Sequence, residues 1–317
     1  MSLTVLDLFC GAGGSSQGLF DSGLNVVCGI DINQEAINNY KKNHKHLALC
    51  EDLTTLEPSS LKERGLDQDI DIISASMPCQ SFSIAGRRDP NDPRNTLFRH
   101  FIKYLDYFKP KAFMIENVMG ILTMKLAETG LKVIDVIMSL VNVNYNTIIC
   151  KLYASDFEVP QNRRRVIIFG LRKDLTKLPT EPPIVSKVRP VVGPILQKQE
   201  DVPVKYYLTE KALAGIRAKR AKSIREGNGF GAQFLDLNKP SYTIPARYYR
   251  DGYDALVKYS ETSVRRLTIL ELKRIQTFPD SYIFEGSNKD IIIQIGNAVA
   301  CRFAYYMGKH LQNMLGI

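Results

Sequence analysis

Short apolar runs alternate with amphipathic stretches over the first 170 residues, a pattern that predicts an α/β fold. Because the predicted strands and helices follow one another in turn, we expect an open parallel sheet with helices on both faces. Ligands of such sheets bind beyond the carboxyl ends of the strands. The predicted strands are residues 3–9, 25–30, 46–50, 70–74, 112–116, 145–153 and 166–171, and the predicted helices are 15–22, 34–42 and 131–140.

The composition of the chain changes after these elements. Six of the fifteen prolines lie between residues 179 and 203, which indicates a linker or an irregular segment. Residues 205–250 carry ten Lys or Arg against three Asp or Glu, with several tyrosines among them. Helical periodicity returns at residues 268–277 and 298–315. We therefore expect a basic central region that differs in structure from the α/β part before it.

Length and charge narrow the class of protein. The chain has 317 residues, of which 44% are hydrophobic, so it can bury a sizeable core. Its 42 Lys and Arg outnumber its 33 Asp and Glu, which favours a polyanionic partner, nucleic acid first. No run approaches the roughly 20 apolar residues of a membrane span, and we recognise no secretory leader. The six cysteines contain no C-x-x-C pair, so we expect no metal site and reduced thiols in a cytoplasmic protein.

A glycine-rich turn, FCGAGG at residues 9–14, follows the first predicted strand. Glycines let the backbone turn sharply and approach a ligand closely. The second predicted strand leads to Asp31, whose carboxylate could accept both hydroxyls of a ribose. The pattern indicates a cofactor that contains a nucleoside. Ser16 stands where a dinucleotide fingerprint has its third glycine, which mildly favours S-adenosylmethionine over a nicotinamide cofactor; a turn without a ligand stays open at this point.

The fourth predicted strand leads to PCQSFS at residues 78–83. Pro78 stiffens the turn and would present Cys79 at the mouth of the strand. A cysteine that attacks must be a thiolate, and most buried cysteines are inert. Cys79 differs because it lies in a polar loop at the expected ligand edge, so it is the candidate nucleophile. The next strand ends at Glu116, either a candidate acid or the partner of an ion pair.

These residues belong to a series of motifs that resembles the cytosine-5 DNA methyltransferases of bacterial restriction–modification systems. The motifs occur in the family order and cover the chain except for about 172–263. They are DLFCGAGG at 7–14, PCQ at 78–80, ENV at 116–118, VPQNRRRV at 159–166, RLTILELKRIQTFP at 266–279 and QIGNAV at 294–299.

The resemblance implies a Rossmann-like S-adenosylmethionine-dependent methyltransferase sheet with a small, mostly irregular or β target recognition domain. Residues 1–180 would form the catalytic and cofactor-binding domain. Residues 181–263 would be the target recognition domain, and residues 264–317 would return to the catalytic domain.

The resemblance also implies a reaction, transfer of a methyl group to carbon 5 of cytosine in a short duplex DNA sequence. Cys79 would add to carbon 6 of a flipped-out base. Glu116 would supply a proton or a strong hydrogen bond at N3, where electron density builds up. By motif match, Arg163 and Arg165 would hold the base and the catalytic loop.

Cofactor contacts carry over by the same motif match. Phe9, Gly11, Ala12 and Gly14 would surround the methionine part of S-adenosylmethionine. Asp31 would bind the ribose and Ile32 would pack on the adenine. The remaining contacts would come from Asp52, Leu53, Pro78, Leu97, Asn297 and Val299.

The expected partner is double-stranded DNA, with a cognate restriction endonuclease encoded nearby and a monomeric enzyme. A transfer RNA cytosine-5 methyltransferase is one alternative, but its Cys-Phe-Thr stretch is absent from this sequence. A catalytically silent DNA-binding regulator is another, although such proteins usually lose the cysteine or the glutamate. A nicotinamide-dependent oxidoreductase is the third, and the Pro-Cys-Gln loop argues against it.

Overall fold

The first seven strands of the chain form one sheet. The computed structural model describes residues 2–78, 89, 92–227, 232–251, 253 and 255–317. The seven strands are β1 (Thr4–Leu8), β2 (Asn25–Asp31), β3 (Leu47–Cys50), β4 (Ile72–Ala75), β5 (Ala112–Asn117), β6 (Tyr145–Tyr153) and β7 (Arg164–Arg172). Their order across the sheet is β3-β2-β1-β4-β5-β7-β6. The strands predicted from the sequence are confirmed to within two residues at each end.

The expected parallel sheet is confirmed for β1 to β5, whose neighbouring strands all pair in parallel. Strand β7 is the exception, because it pairs antiparallel with both β5 and β6. The connection from β6 to β7 spans only residues 154–163. A parallel crossover needs about a dozen residues or more, so this short connection returns the chain in the opposite direction.

Helices cover both faces of the sheet, as the alternation predicts. The helices of this part of the chain are α1 (Gly14–Asp21), α2 (Gln34–Asn43), α3 (Phe98–Phe108), α4 (Val133–Val141) and, at the end of the chain, α9 (Cys301–Leu315). The apolar residues of α3 and α4 join a core with Leu6 and Leu8 of β1. Side chains alternate between the faces of a strand, so Asp7 points to the other face, where it accepts a hydrogen bond from Ser16 of α1.

A second group of elements comprises helices α5 (Glu210–Arg225), α6 (Tyr248–Asp251), α7 (Ile269–Ile275) and α8 (Asn288–Asn297) and strands β8 (Leu256–Lys258) and β9 (Val264–Arg266). Strands β8 and β9 pair antiparallel. Helices α3, α5, α6 and α8 were not predicted from the sequence. Helix α5 has 16 residues, and it packs through Leu213 and Ile216. Two buried apolar residues in a helix of 16 give only a weak apolar periodicity, so the hydrophobic pattern of the sequence did not reveal this helix.

The chain divides into two compact units. The first contains Met1–Tyr153, Arg164–Ile184 and Val299–Ile317, and the second contains Ala154–Arg163 and Val185–Ala298. These bounds are those of compact packing and differ from the predicted functional segments 1–180, 181–263 and 264–317. The functional roles of the segments stay predictions. Among the described residues, no helix has the length and apolarity to cross a membrane.

Candidate active site

The glycine-rich turn after β1 has an unusual backbone. Phe9, Gly11 and Gly13 have positive φ angles of 57°, 54° and 91°. Glycine adopts this left-handed region readily, whereas Phe9 is strained there, and such strain is concentrated at functional sites. A Cβ built on Gly11 would meet no heavy atom within 4 Å, so the turn borders open space. The turn can therefore bring backbone groups close to a ligand.

Asp31 lies at the end of β2, beside this turn. Its Oδ2 accepts a hydrogen bond from the Gly11 N–H at 2.8 Å, and its Oδ1 accepts one from the Asn33 N–H at 2.8 Å. Burial raises the pKa of the Asp31 carboxyl from its ordinary value, and the backbone hydrogen bonds oppose that rise. The neighbouring Ile32 is 66% exposed, an apolar surface of the kind that a base can cover.

Strand β3 brings a third group to the same edge, because Cys50 is the register partner of Asp31. Asp52 follows two residues later and accepts a hydrogen bond from the Thr54 N–H at 2.8 Å. Leu53 is buried in the core. The turn, Asp31 and Asp52 thus lie at the carboxyl ends of three adjacent parallel strands. An open glycine turn, a carboxylate and an exposed apolar side chain fit a cofactor that contains a nucleoside.

Glu116 lies on β5, and its side chain pairs with Arg165 of β7. The Arg165 Nε donates to the Glu116 Oε1 at 2.7 Å, and both side chains are about 10% exposed. The Arg165 Nη1 also donates to the backbone oxygen of Arg164 at 2.7 Å. Two of the predicted catalytic residues are therefore in contact. The arginine fixes the direction of the carboxylate and places a positive charge beside it.

Asn117, the next residue of β5, connects this site to the chain that leads to Cys79. Its Nδ2 donates to the Met77 carbonyl at 3.4 Å, and its Oδ1 accepts from the Val118 N–H at 2.8 Å. Pro78 follows Met77, and Cys79 itself lies outside the described residues. Asn117 falls within the ENV motif, but no role was predicted for it. Its place at the end of a strand was the signal that could have found it.

Arg163 has a different environment from Arg165, although the two are only two residues apart. It belongs to the second unit. Its guanidinium donates to the backbone oxygens of Ile244, Gly296 and Ala298 at 3.0–3.4 Å. Gln276, which was not predicted, donates to the Ala298 oxygen at 3.1 Å. Arg165 thus pairs with the Glu116 carboxylate, whereas Arg163 binds backbone oxygens of the second unit.

The remaining predicted cofactor residues are spread over several elements. Ala12 is buried in the glycine-rich turn, and Gly14 is the first residue of α1. Leu97 directly precedes α3. Asn297 is the last residue of α8 and belongs to the second unit, whereas Val299 belongs to the first.

The described cysteines are free thiols, namely Cys10, Cys28, Cys50, Cys150 and Cys301. Burial raises the pKa of Cys28 and of Cys150 to about 12, and it also raises the pKa of Cys10 and of Cys301. Thiols with raised pKa values are poor nucleophiles. Among the described residues, no group of three or more His, Cys, Asp or Glu could hold a metal ion.

Comparison with known proteins agrees with the motif series. The family profile of the C-5 cytosine-specific DNA methylases matches residues 3–313. The Type II methyltransferase M.NlaX of Neisseria lactamica is 32% identical over 299 residues, which cover 93% of this chain and 91% of that protein. The Type II methyltransferase M.SsoII of Shigella sonnei is 32% identical over 305 residues, 93% of this chain and 76% of that protein.

A solved structure agrees in fold. It is described as a DNA modification methyltransferase encoded within an Escherichia coli prophage, and it is 26% identical with a TM-score of 0.78 over 100% of both chains. These findings agree with the DNA methyltransferase hypothesis and not with the alternatives. The chain therefore belongs to the C-5 cytosine-specific DNA methylases, the enzymes that methylate carbon 5 of cytosine in DNA.

Proposed function

We propose that this chain transfers a methyl group from S-adenosylmethionine to carbon 5 of cytosine in a short duplex DNA sequence, with Cys79 as the covalent nucleophile. The observation that carries the proposal is the Glu116–Arg165 pair at the end of β5, joined through Asn117 to the backbone that leads into Cys79. This reaction needs a buried carboxylate close to the attacking cysteine. Glu116 lies at the ligand edge of the sheet on β5, and Cys79 follows the neighbouring strand β4 in the sequence.

The chemistry follows from these residue types. The Cys79 thiolate adds to carbon 6, which makes carbon 5 enamine-like and nucleophilic. Glu116 offsets the electron density on the ring by hydrogen bonding or proton donation at N3. Arg165 holds the carboxyl group in place. S-adenosylmethionine, when bound, supplies the electrophilic methyl group. After transfer, a base removes the carbon 5 proton, and the electrons of that bond expel the thiolate.

Asp31 and the turn at residues 9–14 would hold the cofactor, with Asp31 on the ribose hydroxyls and Ile32 against the adenine. Asp52 and Leu53 would meet the other edge of the base. These assignments rest on the family motifs and on the position of the residues at the ends of β1, β2 and β3.

The second unit would bind DNA. Helix α5 carries six basic residues and one acidic residue, and all seven are exposed. Lys219 lies over the ring of Tyr253 and Arg220 over the ring of Phe234, at 5.9 and 5.3 Å from the centroids. Exposed lysines and arginines neutralise phosphates, so we expect DNA affinity that falls as the salt concentration rises. Carbon 5 is out of reach inside the stacked duplex, so the base must leave the helix before the cysteine can add to it.

In the cell, the enzyme would be the modification half of a restriction–modification system. It would act as a cytoplasmic monomer, with the cognate endonuclease encoded nearby. The names of the relatives M.NlaX and M.SsoII, both Type II methyltransferases, support this proposal.

Bisulfite sequencing of DNA from cells that express the chain would identify the methylated sequence. Duplex DNA with 5-fluorocytosine at that site then tests the mechanism. A base can remove a proton from carbon 5 but not a fluorine, so the covalent adduct cannot be resolved. We expect a covalent protein–DNA complex with the wild-type chain and none with Cys79→Ser. Cys150→Ala is the matched control, since Cys150 is a buried thiol of β6.

Two results would contradict the proposal. The first is full methylation by Cys79→Ser, and the second is the absence of a trapped complex with a site that the wild-type chain methylates. If Cys150→Ala also failed to form the complex, loss of the complex in Cys79→Ser would no longer identify Cys79 as the attacking thiol.

A further inference from the structure

A chain of buried hydrogen bonds lies on the face of the sheet that carries α1 and α2. The Tyr40 hydroxyl donates to the Ser16 Oγ at 2.7 Å, and the Ser16 hydroxyl donates to the Asp7 Oδ2 at 2.6 Å. The Tyr40 hydroxyl also lies 2.6 Å from the His46 Nε2. Asp7, Ser16 and Tyr40 have no exposed surface. We call His46, Tyr40, Ser16 and Asp7 the relay.

The direction of the relay follows from the number of protons. A hydroxyl can donate only one hydrogen bond, and the Tyr40 hydroxyl donates its hydrogen bond to Ser16. The Tyr40 oxygen must therefore accept from His46, which carries a proton on Nε2. Each hydroxyl is both donor and acceptor, so the bonds strengthen one another and end on the carboxylate of Asp7.

The backbone makes room for this arrangement at Gly29 of β2. A Cβ at that position would lie 2.4 Å from the Tyr40 hydroxyl oxygen, closer than any real contact. The glycine therefore lets the tyrosine reach across the strand to α1. A buried hydroxyl that lost its hydrogen-bond partners would destabilise the fold. Tyr40 therefore depends both on the space that Gly29 leaves and on its partners Ser16 and His46.

The relay joins residues on either side of the glycine-rich turn. Asp7 precedes the turn on β1, and Ser16 follows it in the first turn of α1. The His44 ring, 4.5 Å from that of Tyr40, hydrogen-bonds to the backbone of Gly13. Helix α1 begins after Gly13 without a side-chain cap, so its start depends on other contacts.

The turn needs such support, because it contains three residues with positive φ angles, Phe9, Gly11 and Gly13. Strained or glycine-rich backbone keeps one conformation only when its surroundings fix it. A turn that is already in its binding conformation costs less entropy when a ligand binds.

We propose that Tyr40 and Ser16 are positioning residues for the cofactor, and that the relay keeps the glycine-rich turn in the conformation that binds S-adenosylmethionine. This inference rests on the proposed function. Neither side chain would touch the cofactor, because neither has exposed surface.

The test is the equilibrium dissociation constant of S-adenosylhomocysteine, measured by calorimetry on the full chain without DNA. We expect Tyr40→Phe to raise it about tenfold, equivalent to about 1.4 kcal/mol. Ser16→Ala breaks the same relay one step later and is expected to give a similar shift. Tyr145→Phe is the matched control, because the buried Tyr145 donates a single hydrogen bond to the Pro110 oxygen at 3.0 Å. The Tyr145→Phe variant should bind S-adenosylhomocysteine with the affinity of the wild-type chain.

A second readout separates positioning from general loss of stability. In Tyr40→Phe the KM for S-adenosylmethionine should rise while kcat changes less than about threefold, as expected when ground-state and transition-state binding are lost equally. A damaged fold would lower kcat as well. Equal affinities in Tyr40→Phe and Tyr145→Phe would overturn this inference alone. If the wild-type chain itself failed to bind S-adenosylhomocysteine, the proposed cofactor and this inference would both be overturned.

Discussion

The two units each contain a buried arginine–glutamate pair, and the pairs are built differently. In the second unit, Arg265 and Glu271 have no exposed side-chain surface and share two hydrogen bonds, at 2.7 and 2.8 Å. In the first unit, Arg165 and Glu116 are about 10% exposed and share one bond, from Nε to Oε1 at 2.7 Å.

The surroundings of the two carboxylates differ as well. Glu271 also accepts hydrogen bonds from the backbone N–H groups of Gln197 and Thr268, and it completes the capping box at the start of α7. For Glu116, Arg165 is the single side-chain partner among the described residues. A carboxylate with all its oxygens in use supports structure, whereas one with an oxygen to spare can meet a substrate. This difference fits a structural role for Glu271 and the proposed catalytic role of Glu116.

The largest expected effect is on the rate. Glu116→Gln keeps an oxygen for Arg165 but removes the group that can transfer a proton to N3. We expect methyl transfer to fall by about 10²- to 10⁴-fold, the usual contribution of a positioned acid or base. The melting temperature should fall less than in Glu271→Gln, because Glu116 and Arg165 are about 10% exposed whereas Glu271 and Arg265 are fully buried. Glu128→Gln, which breaks an exposed pair with Arg99, is the control. Activity of Glu116→Gln near that of the wild-type chain would remove Glu116 from the mechanism.

The second effect is on stability. Glu271→Gln leaves the charge of Arg265 buried without its partner, so the free energy of unfolding should fall by about 3–5 kcal/mol. Chemical denaturation measures this loss. Adding Arg265→Met removes the unpaired charge, and the double variant should be more stable than Glu271→Gln alone. If Glu271→Gln unfolded at the same denaturant concentration as the wild-type chain, the structural role of this pair would be wrong.

The smallest expected effect is that of pH on the melting temperature. It tests the buried titratable groups of the first unit, which differ from the fully paired Glu271 of the second. Burial lowers the pKa of His44 and of His46 to about 4, from 6.5. Their contribution to stability is present above pH 6.5 and is lost as the pH falls towards 4. Burial raises the pKa of Asp7 from 3.8 to about 6, so its contribution is present at low pH and is lost as the pH rises through 6.

Two histidines outweigh one aspartate, so the melting temperature should fall between pH 6.5 and pH 4. Asp7→Asn removes the opposing contribution and should make this fall steeper. Replacing both histidines with glutamine should abolish the fall, because only the opposing contribution of Asp7 then remains. A melting temperature that stays constant over this range in the wild-type chain would contradict the assignment.

Local pattern was enough to predict most of the sheet. The strand predicted at residues 3–9 is β1, Thr4–Leu8, and the strand predicted at 25–30 is β2, Asn25–Asp31. Short apolar runs between turn residues are a local signal, and these strands are buried on both faces. The direction of β7 is not local, since it depends on how the short connection at 154–163 lets the chain return.

The candidate site was predicted in part for the same reason. Motif spacing placed Asp31 and Glu116 at the ends of strands, where the structure has them. No pattern pointed to Tyr40, because its role depends on a gap left by Gly29 on a different element. The candidate nucleophile Cys79 lies outside the described residues, and its role stays a prediction.

By itself, the sequence determined the residue types, their order and the strands that carry them, because these depend on neighbours along the chain. The tertiary structure decided which side chains meet. Arg163 and Arg165 show the difference: β7 begins at Arg164, so Arg165 lies within the sheet and pairs with Glu116, whereas Arg163 precedes the strand and binds backbone oxygens of the second unit. Contacts between residues far apart in the chain depend on how the elements pack, and spacing along the sequence does not record that packing.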